Sequence, residues 1–251
     1  EVFRDALRLG LRTNPIYPGI IAGEQSVKQK SVTMPAINMS DAQPFRVGVA
    51  ETITVGSVSF DQKSVEIHKI GRGIKLPYEV TQYVSLNLVS LFMQDFGVKL
   101  GMGIDTMAIN TLLNGDQANG SDSAPVLGVA TVNDLEFRDL LKIWVRGSRL
   151  GKQYTTIIAG ETMATDILEM MVATRLVGAQ RMGLTLKTPI PQNSNIYVHG
   201  GVPDNQAIIL DTSNTIIKLN AQPLLVESEK IVSNQTQETY ATLTTGFATI
   251  F

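Results

Sequence analysis

Residues 71–73 read Gly-Arg-Gly and could be half of a glycine-rich phosphate loop. The third glycine of a G-x-G-x-x-G pattern would fall at position 76, which is Leu76. Pro77 follows where the N-terminus of a helix should supply N–H groups. Gly71 and Gly73 therefore suit a strand that bends or bulges better than a phosphate cradle. The two histidines, His68 and His199, lie in strand-like stretches with no carboxylate or second histidine at ligand spacing. Each reads as a partly exposed sheet residue. The polar loop from Asn114 to Asp122 is acidic and glycine-rich, but the fifth ligand position of a calcium loop falls on Ala118 or Gly120. No G-x-S-x-G nucleophile elbow occurs. With no cysteine in the chain, disulfides, thiolate metal sites and cysteine catalysis are excluded. The expectation is a non-enzyme with no catalytic residue, metal ligand or cofactor.

Cations give the one recurrent charge pattern. Arg4, Arg8 and Arg12 stand at i, i+4, i+8 and share one face of a helix. Lys63, Lys69 and Arg72, with Lys75, extend the theme along an extended segment. Two readings fit these residues. One is a solvated face with ion pairs to a neighbour. The other is contact with a nucleic-acid backbone, which needs only clustered cations and no base readout. Net charge is -2, so any contact with a polyanion is local rather than driven by a global basic field. No run of about 18 uncharged apolar residues is present, so no spanning helix and no membrane partner are expected.

The elements that would position these residues follow from periodicity. Residues 1–13 form an amphipathic helix with Phe3, Ala6, Leu7, Gly10 and Leu11 on one stripe, stopped by Asn14-Pro15. Residues 16–60 show no helical period, and 45–55 (FRVGVAETITV) alternates as a strand. In KSVEIHKIGRGIKLPYEV (63–80) the apolar residues sit on odd positions to Ile67 and on even positions from Ile70. The buried face changes there, and Gly71 with Gly73 are the expected hinge between an arm and a body. A long two-stranded ribbon is marginal on its own in water, so it should pack on something, another subunit included.

From Ser85 to Leu113 a helix of roughly 40–45 Å is expected. Its stripe is Leu88, Leu91, Phe92, Phe96, Leu100, Ile104, Met107 and Leu112, and Asn114-Gly115 stops it. Gly97, Gly101 and Gly103 lower its intrinsic helicity and mark close approach of another backbone. A second helix runs from Asp134, as N-cap, to about Leu150, and a third over Thr162–Val172. Strands are expected at 154–160, 195–200, 206–211, 215–220 and 223–228 and over the last twenty residues. Helices and strands do not alternate regularly, which makes the class α+β.

These parts, in this order, resemble the major capsid protein of tailed bacteriophages, the Hong Kong-phage capsid fold shared with encapsulins. VAETITVGSVSFDQKSVEIHKIGRGIKLPYEV (49–80) is similar to the returning half of that family's extended loop. SLNLVSLFMQDFGVKLGMGIDTMAINTLLNGD (85–116) resembles its spine helix, APVLGV (124–129) the segment after it, and YTTIIAGETMATDILEM (154–170) the strand and helix leading into the axial domain. The resemblance spans about residues 20–250.

It implies an N-terminal arm over 1–20 and an extended β-hairpin loop over 21–70. A peripheral domain with the spine helix follows over 71–133, a mainly axial domain over 134–215, and return strands to the peripheral domain over 216–251. It implies pentamers and hexamers that assemble in the host cytoplasm into an icosahedral virion shell around double-stranded DNA. Scaffolding, portal and decoration proteins are its further implied partners. The arm and loop are implied to reach neighbouring subunits, and a start at Glu1 rather than Met suits a processed N-terminus. Lysine–asparagine crosslinking, known in some members, is not expected, because no carboxylate helper matches around Lys28, Lys30 or Lys63. The alternatives are an encapsulin-like compartment enclosing protein cargo and, from another class, a sugar- or nucleotide-processing enzyme.

Overall fold

The computed structural model describes residues 2–13, 15–29, 31–39, 49, 58–83, 86–116, 125–129, 135–149, 151–170 and 195–250. The expected strand over 45–55 (apart from Val49), the Asp134 cap and most of the 114–122 loop lie outside these residues.

The chain opens with helix α1 (Val2–Arg12). Strand β1 (Ile21–Ser26) follows, then β2 (Ser31–Met39), β3 (Val58–Glu66) and β4 (His68–Pro77). A short helix α2 (Tyr78–Tyr83) leads into the 29-residue helix α3 (Leu86–Asn114). Helix α4 (Phe137–Arg149), strand β5 (Thr156–Ala159) and helix α5 (161–170) come next. Strands β6 (Asn195–Val198), β7 (Ala207–Leu210), β8 (Ile216–Ile231) and β9 (Thr236–Thr249) complete the order. The α+β class and the outsized helix are as the sequence predicts.

Three sheets are present among the described residues. One has the order β1-β8-β9-β4, with β1 parallel to β8 and the other pairs antiparallel. The ribbon β2–β3 is a separate two-stranded sheet. The third has the order β6-β5-β7. Strands expected separately at 215–220 and 223–228 are one strand, β8, whose pairing with β9 slips between Asn220 and Leu225. Pro223 lies in that slip, where its missing N–H takes nothing from a regular ladder.

The main core joins the two larger sheets through α3. Phe96, Leu100, Ile104, Ala108, Ile109 and Leu112 of α3 pack with Leu7 of α1, Ile158 and Leu210 of the three-stranded sheet, and Ile216, Ala241, Leu243 and Phe247 of the four-stranded one. Burying a Leu, Ile or Phe side chain contributes about 1.5–3 kcal/mol each. The helical stripe holds from Phe96 onward, but Leu91 and Phe92 face outward at 59% and 49% exposure.

A smaller cluster covers the opposite face of the four-stranded sheet: Val27, Val65, Ile67, Leu219 and Ala248. Two expectations change here. The phase swap is real, since Val65 and Ile67 are buried in this cluster while Ile70 and Ile74 pack on the main core. However, the break falls at Ile67, between β3 and β4, and not at Gly71 and Gly73. The β4–β9 pairing runs from His68 opposite Thr245 to Pro77 opposite Thr236 without a slip. A strand changes its buried face wherever it changes its partner, and no glycine is needed for that. Moreover, the base of the ribbon packs on its own body rather than outside it.

The extended loop is also narrower than 21–70. Strand β1 and residues from His68 onward belong to the four-stranded sheet, so the ribbon is 31–39 with 58–66. The return strands β8 and β9 lie in the same sheet.

Candidate assembly surfaces

Helix α1 lies directly on α3. A methyl group built on Gly97 would stand 2.2 Å from the Leu7 carbonyl oxygen, and one on Gly10 would stand 2.0 Å from that of Gln94. The glycines are where two backbones touch, as expected for Gly97. Gly101 is in ordinary contact with Leu11, and a methyl on Gly103 would meet nothing within 4 Å. This packing seats the N-terminal helix on α3 of its own chain, with Leu7 fully buried. Arg8 and Arg12 remain exposed one turn apart. Arg4 lies in the same helix, its side chain outside the description.

After α1 the chain turns at Ile16 and Tyr17 and leaves two N–H groups without helical partners. Asp105 of α3 satisfies both: Tyr17 N–H donates at 2.8 Å and Ile16 N–H at 3.1 Å to its carboxylate. Asp105 is only 2% exposed. Burial pushes its carboxyl above the usual range, and the two backbone donors and the nearby His199 oppose that push. Lys218 adds a second clasp, 4.2 Å above the Tyr17 ring and 3.4 Å from Glu24. The missed signal is that Gly97, Gly101 and Asp105 stand at i, i+4, i+8, on the stripe that the N-terminal segment follows. Asp116 acts similarly at the end of α3, where Thr249 N–H and Oγ1 donate to it at 3.1 and 3.0 Å.

The cations expected along the extended segment do not form one patch. Lys63 lies in β3, opposite Met34. Lys69 and Arg72 are exposed on β4 but three residues apart, so they point to opposite faces of the sheet. Lys75 pairs with its cross-strand neighbour Glu238 at 3.5 Å. Gly71 and Gly73 face outward beneath Thr242 and Tyr240, and a methyl on either would come within 2.7 Å of those side chains. Tyr240 thus lies across Gly73, and its hydroxyl donates to Glu238. That bond holds the Glu238 carboxyl below its usual range and the Tyr240 phenol above its own.

His68 is exposed on β4. His199, half-buried just after β6, accepts the Gly201 N–H on Nδ1 at 2.9 Å. Its Nε2 is buried with no hydrogen-bond partner among the described residues. Among the described residues no group of three or more His, Cys, Asp or Glu could hold a metal ion. No described helix is long and apolar enough to cross a membrane.

Large apolar side chains stand exposed at Leu91, Phe92 and Met102 along the outer side of α3, and at Val145, 69% exposed, on the outer face of α4.

No protein-family model and no curated protein matches the sequence. Solved structures do match the shape. The virus-like particle from Pyrococcus furiosus superposes with a TM-score of 0.68 at 10% identity, over 99% of this chain and 93% of that one. The capsid of a native GTA particle gives 0.62 at 14% identity, over 94% and 86%. The mature capsid of bacteriophage PhiM1 gives 0.62 at 10% identity, over 94% and 83%. The chain has the fold of these shell subunits, the tailed-phage capsid fold.

Proposed function

We propose that this protein is a shell subunit, a major capsid protein that assembles with copies of itself into the icosahedral capsid of a virion. The observation that carries this reading is the β2–β3 ribbon. Among the described residues its two strands pair only with each other, and beyond the base, where Val32 and Val65 pack on the body, a two-stranded ribbon is only marginally stable in water. A neighbouring subunit is the natural cover for it. The fold likeness to shell proteins over nearly the whole chain supports the same conclusion.

In this reading α3 is the spine and the four-stranded sheet with it the peripheral part. Helices α4 and α5 on the three-stranded sheet form the axial part, grouped around the axes of pentamers and hexamers. The role is structural, not catalytic. Double-stranded DNA is the enclosed cargo, touched through non-specific cations. Arg4, Arg8 and Arg12, and separately Lys63, Lys69 and Arg72, are the side chains assigned to subunit or DNA contact. Assembly takes place in the host cytoplasm, with scaffolding, portal and decoration proteins as the outside partners.

Sedimentation and negative-stain microscopy of the purified chain, with the ratio of absorbance at 260 and 280 nm, test this. Closed particles carrying nuclease-protected DNA are expected. Particles that instead co-purify an enzyme would make the shell a protein compartment. A stable monomer in every salt and scaffolding condition would remove the shell reading altogether.

A further inference from the structure

Helices α4 and α5 lie together on the three-stranded sheet, with Trp144 of α4 packed against the cluster that holds Ala164 and Ile167 of α5. Their outward faces carry opposite charge. On α4, Arg138, Lys142, Arg146 and Arg149 follow at i, i+4, i+8, i+11 and line one shallow hollow with Leu141 and Val145. The stripe is roughly 16 Å long. Lys142 is paired within the helix to Asp139 at 2.8 Å. Arg138, Arg146 and Arg149 make no ion pair among the described residues. Like charges at this spacing weaken an isolated helix, so the stripe is better supported with an anionic partner. Phosphates alone would not account for Leu141 and Val145, exposed by 39% and 69% in the same hollow. A protein surface with acids around an apolar residue would.

The chain itself presents such a surface. On α5, Glu161 and Glu169 are exposed, as is Leu168, at 49%, beside Glu169 and two turns along from Glu161. We propose that the basic hollow of α4 on one subunit docks on the acidic face of α5 on the next copy. Two different faces of one chain then meet, which is the head-to-tail contact that closes subunits into a ring. This contact rests on the shell reading and gives that ring its register and partner, with opposite potentials steering the encounter.

The test is a charge swap in the full chain. Arg138→Glu with Arg146→Glu sets two acids against the acidic face of α5 and cancels the positive charge left at Lys142 and Arg149 in the hollow. Glu161→Lys with Glu169→Lys makes both faces basic. Each double variant is expected to lower the yield of assembled particles by roughly tenfold or more, because like charges then meet across the contact. The quadruple variant, with the charges exchanged, is expected to recover most of the yield. All changed residues are exposed, so the three variants should melt near the parent, and a neutral pair, Arg138→Gln with Arg146→Gln, should give an intermediate yield. If the parent assembles and the reversals leave the yield unchanged, the docking is wrong while the shell reading stands. The docking is equally wrong if the quadruple variant fails to recover although it melts normally. Unchanged yield with a loss of packaged DNA would reassign the hollow to nucleic acid. A parent that never assembles would contradict both.

Discussion

Gly10 of α1 and Gly97 of α3 face each other where the two helices cross, with the Gly10 carbonyl carbon 3.1 Å from where a Gly97 methyl would stand. Intrinsic propensity and packing therefore give opposite expectations for Gly97→Ala. Propensity would stabilise α3 by about 1 kcal/mol. The new methyl, however, would meet the Leu7 carbonyl oxygen at 2.2 Å. Packing should win, with a net loss of about 1–3 kcal/mol from displacing α1. Gly103→Ala has open space and should gain about 0.5–1 kcal/mol. Thermal or urea unfolding of both variants measures this. A stabilised Gly97→Ala protein would mean that α1 is not seated on α3.

Asp105 should divide its variants sharply. Asp105→Ala strands the Ile16 and Tyr17 N–H groups, each costing about 1–3 kcal/mol when buried and unpaired. Asp105→Asn keeps Oδ1, which accepts from Ile16 and Tyr17 N–H at 3.1 and 2.8 Å, and gives up only the second bond of Ile16 N–H to Oδ2 at 3.1 Å. It should unfold near the parent.

The same carboxyl carries a pH signature. Burial raises its native value above the ordinary 3.8, so the folded chain holds this proton longer than the unfolded one. Its contribution to stability is complete below pH 3.8 and is lost as pH rises through the native value. The stability difference between parent and Asp105→Asn should then shift in favour of Asn as pH increases from about 3 to 8. A flat difference, or one favouring Asp at higher pH, would contradict that assignment.

Ile67 tests where the ribbon ends. It is 1% exposed and shares its cluster with Leu219 and Ala248 of the body. Ile67→Ala should cost about 2–5 kcal/mol in unfolding. A residue on an arm projecting from the monomer would lose less than about 0.5 kcal/mol.

Much of this was legible in the sequence because it depends on local periodicity. The i, i+4 stripe of Phe96, Leu100 and Ile104 marked the core face of α3, and the parity swap around Ile67 marked a change of partner. What could not be read was set by pairing over long sequence separation. Nothing near Gly71 and Gly73 says that Thr242 and Tyr240 will lie across them, so the glycines passed for a hinge. Nothing near Asp105 says that Ile16 and Tyr17, almost ninety residues earlier, will need its oxygens. The basic stripe of α4 at Arg138, Lys142 and Arg146 has the same i, i+4, i+8 spacing as Arg4, Arg8 and Arg12 of α1.

The arginines of α1 should matter for assembly and not for folding. Arg8 and Arg12 are exposed, so changing them to Ala together with Arg4 should move stability by about 0.5 kcal/mol or less per site. Particle yield or DNA content should fall. Normal particles with normal DNA would return these residues to a solvated face.

Single-particle electron microscopy of the purified full chain bears most directly on the shell reading. Closed particles are expected, with five- and six-fold clusters of subunits and with each β2–β3 ribbon lying on a neighbouring copy. A homogeneous monomer, or a ribbon folded against its own body with no neighbour beneath it, would contradict that reading.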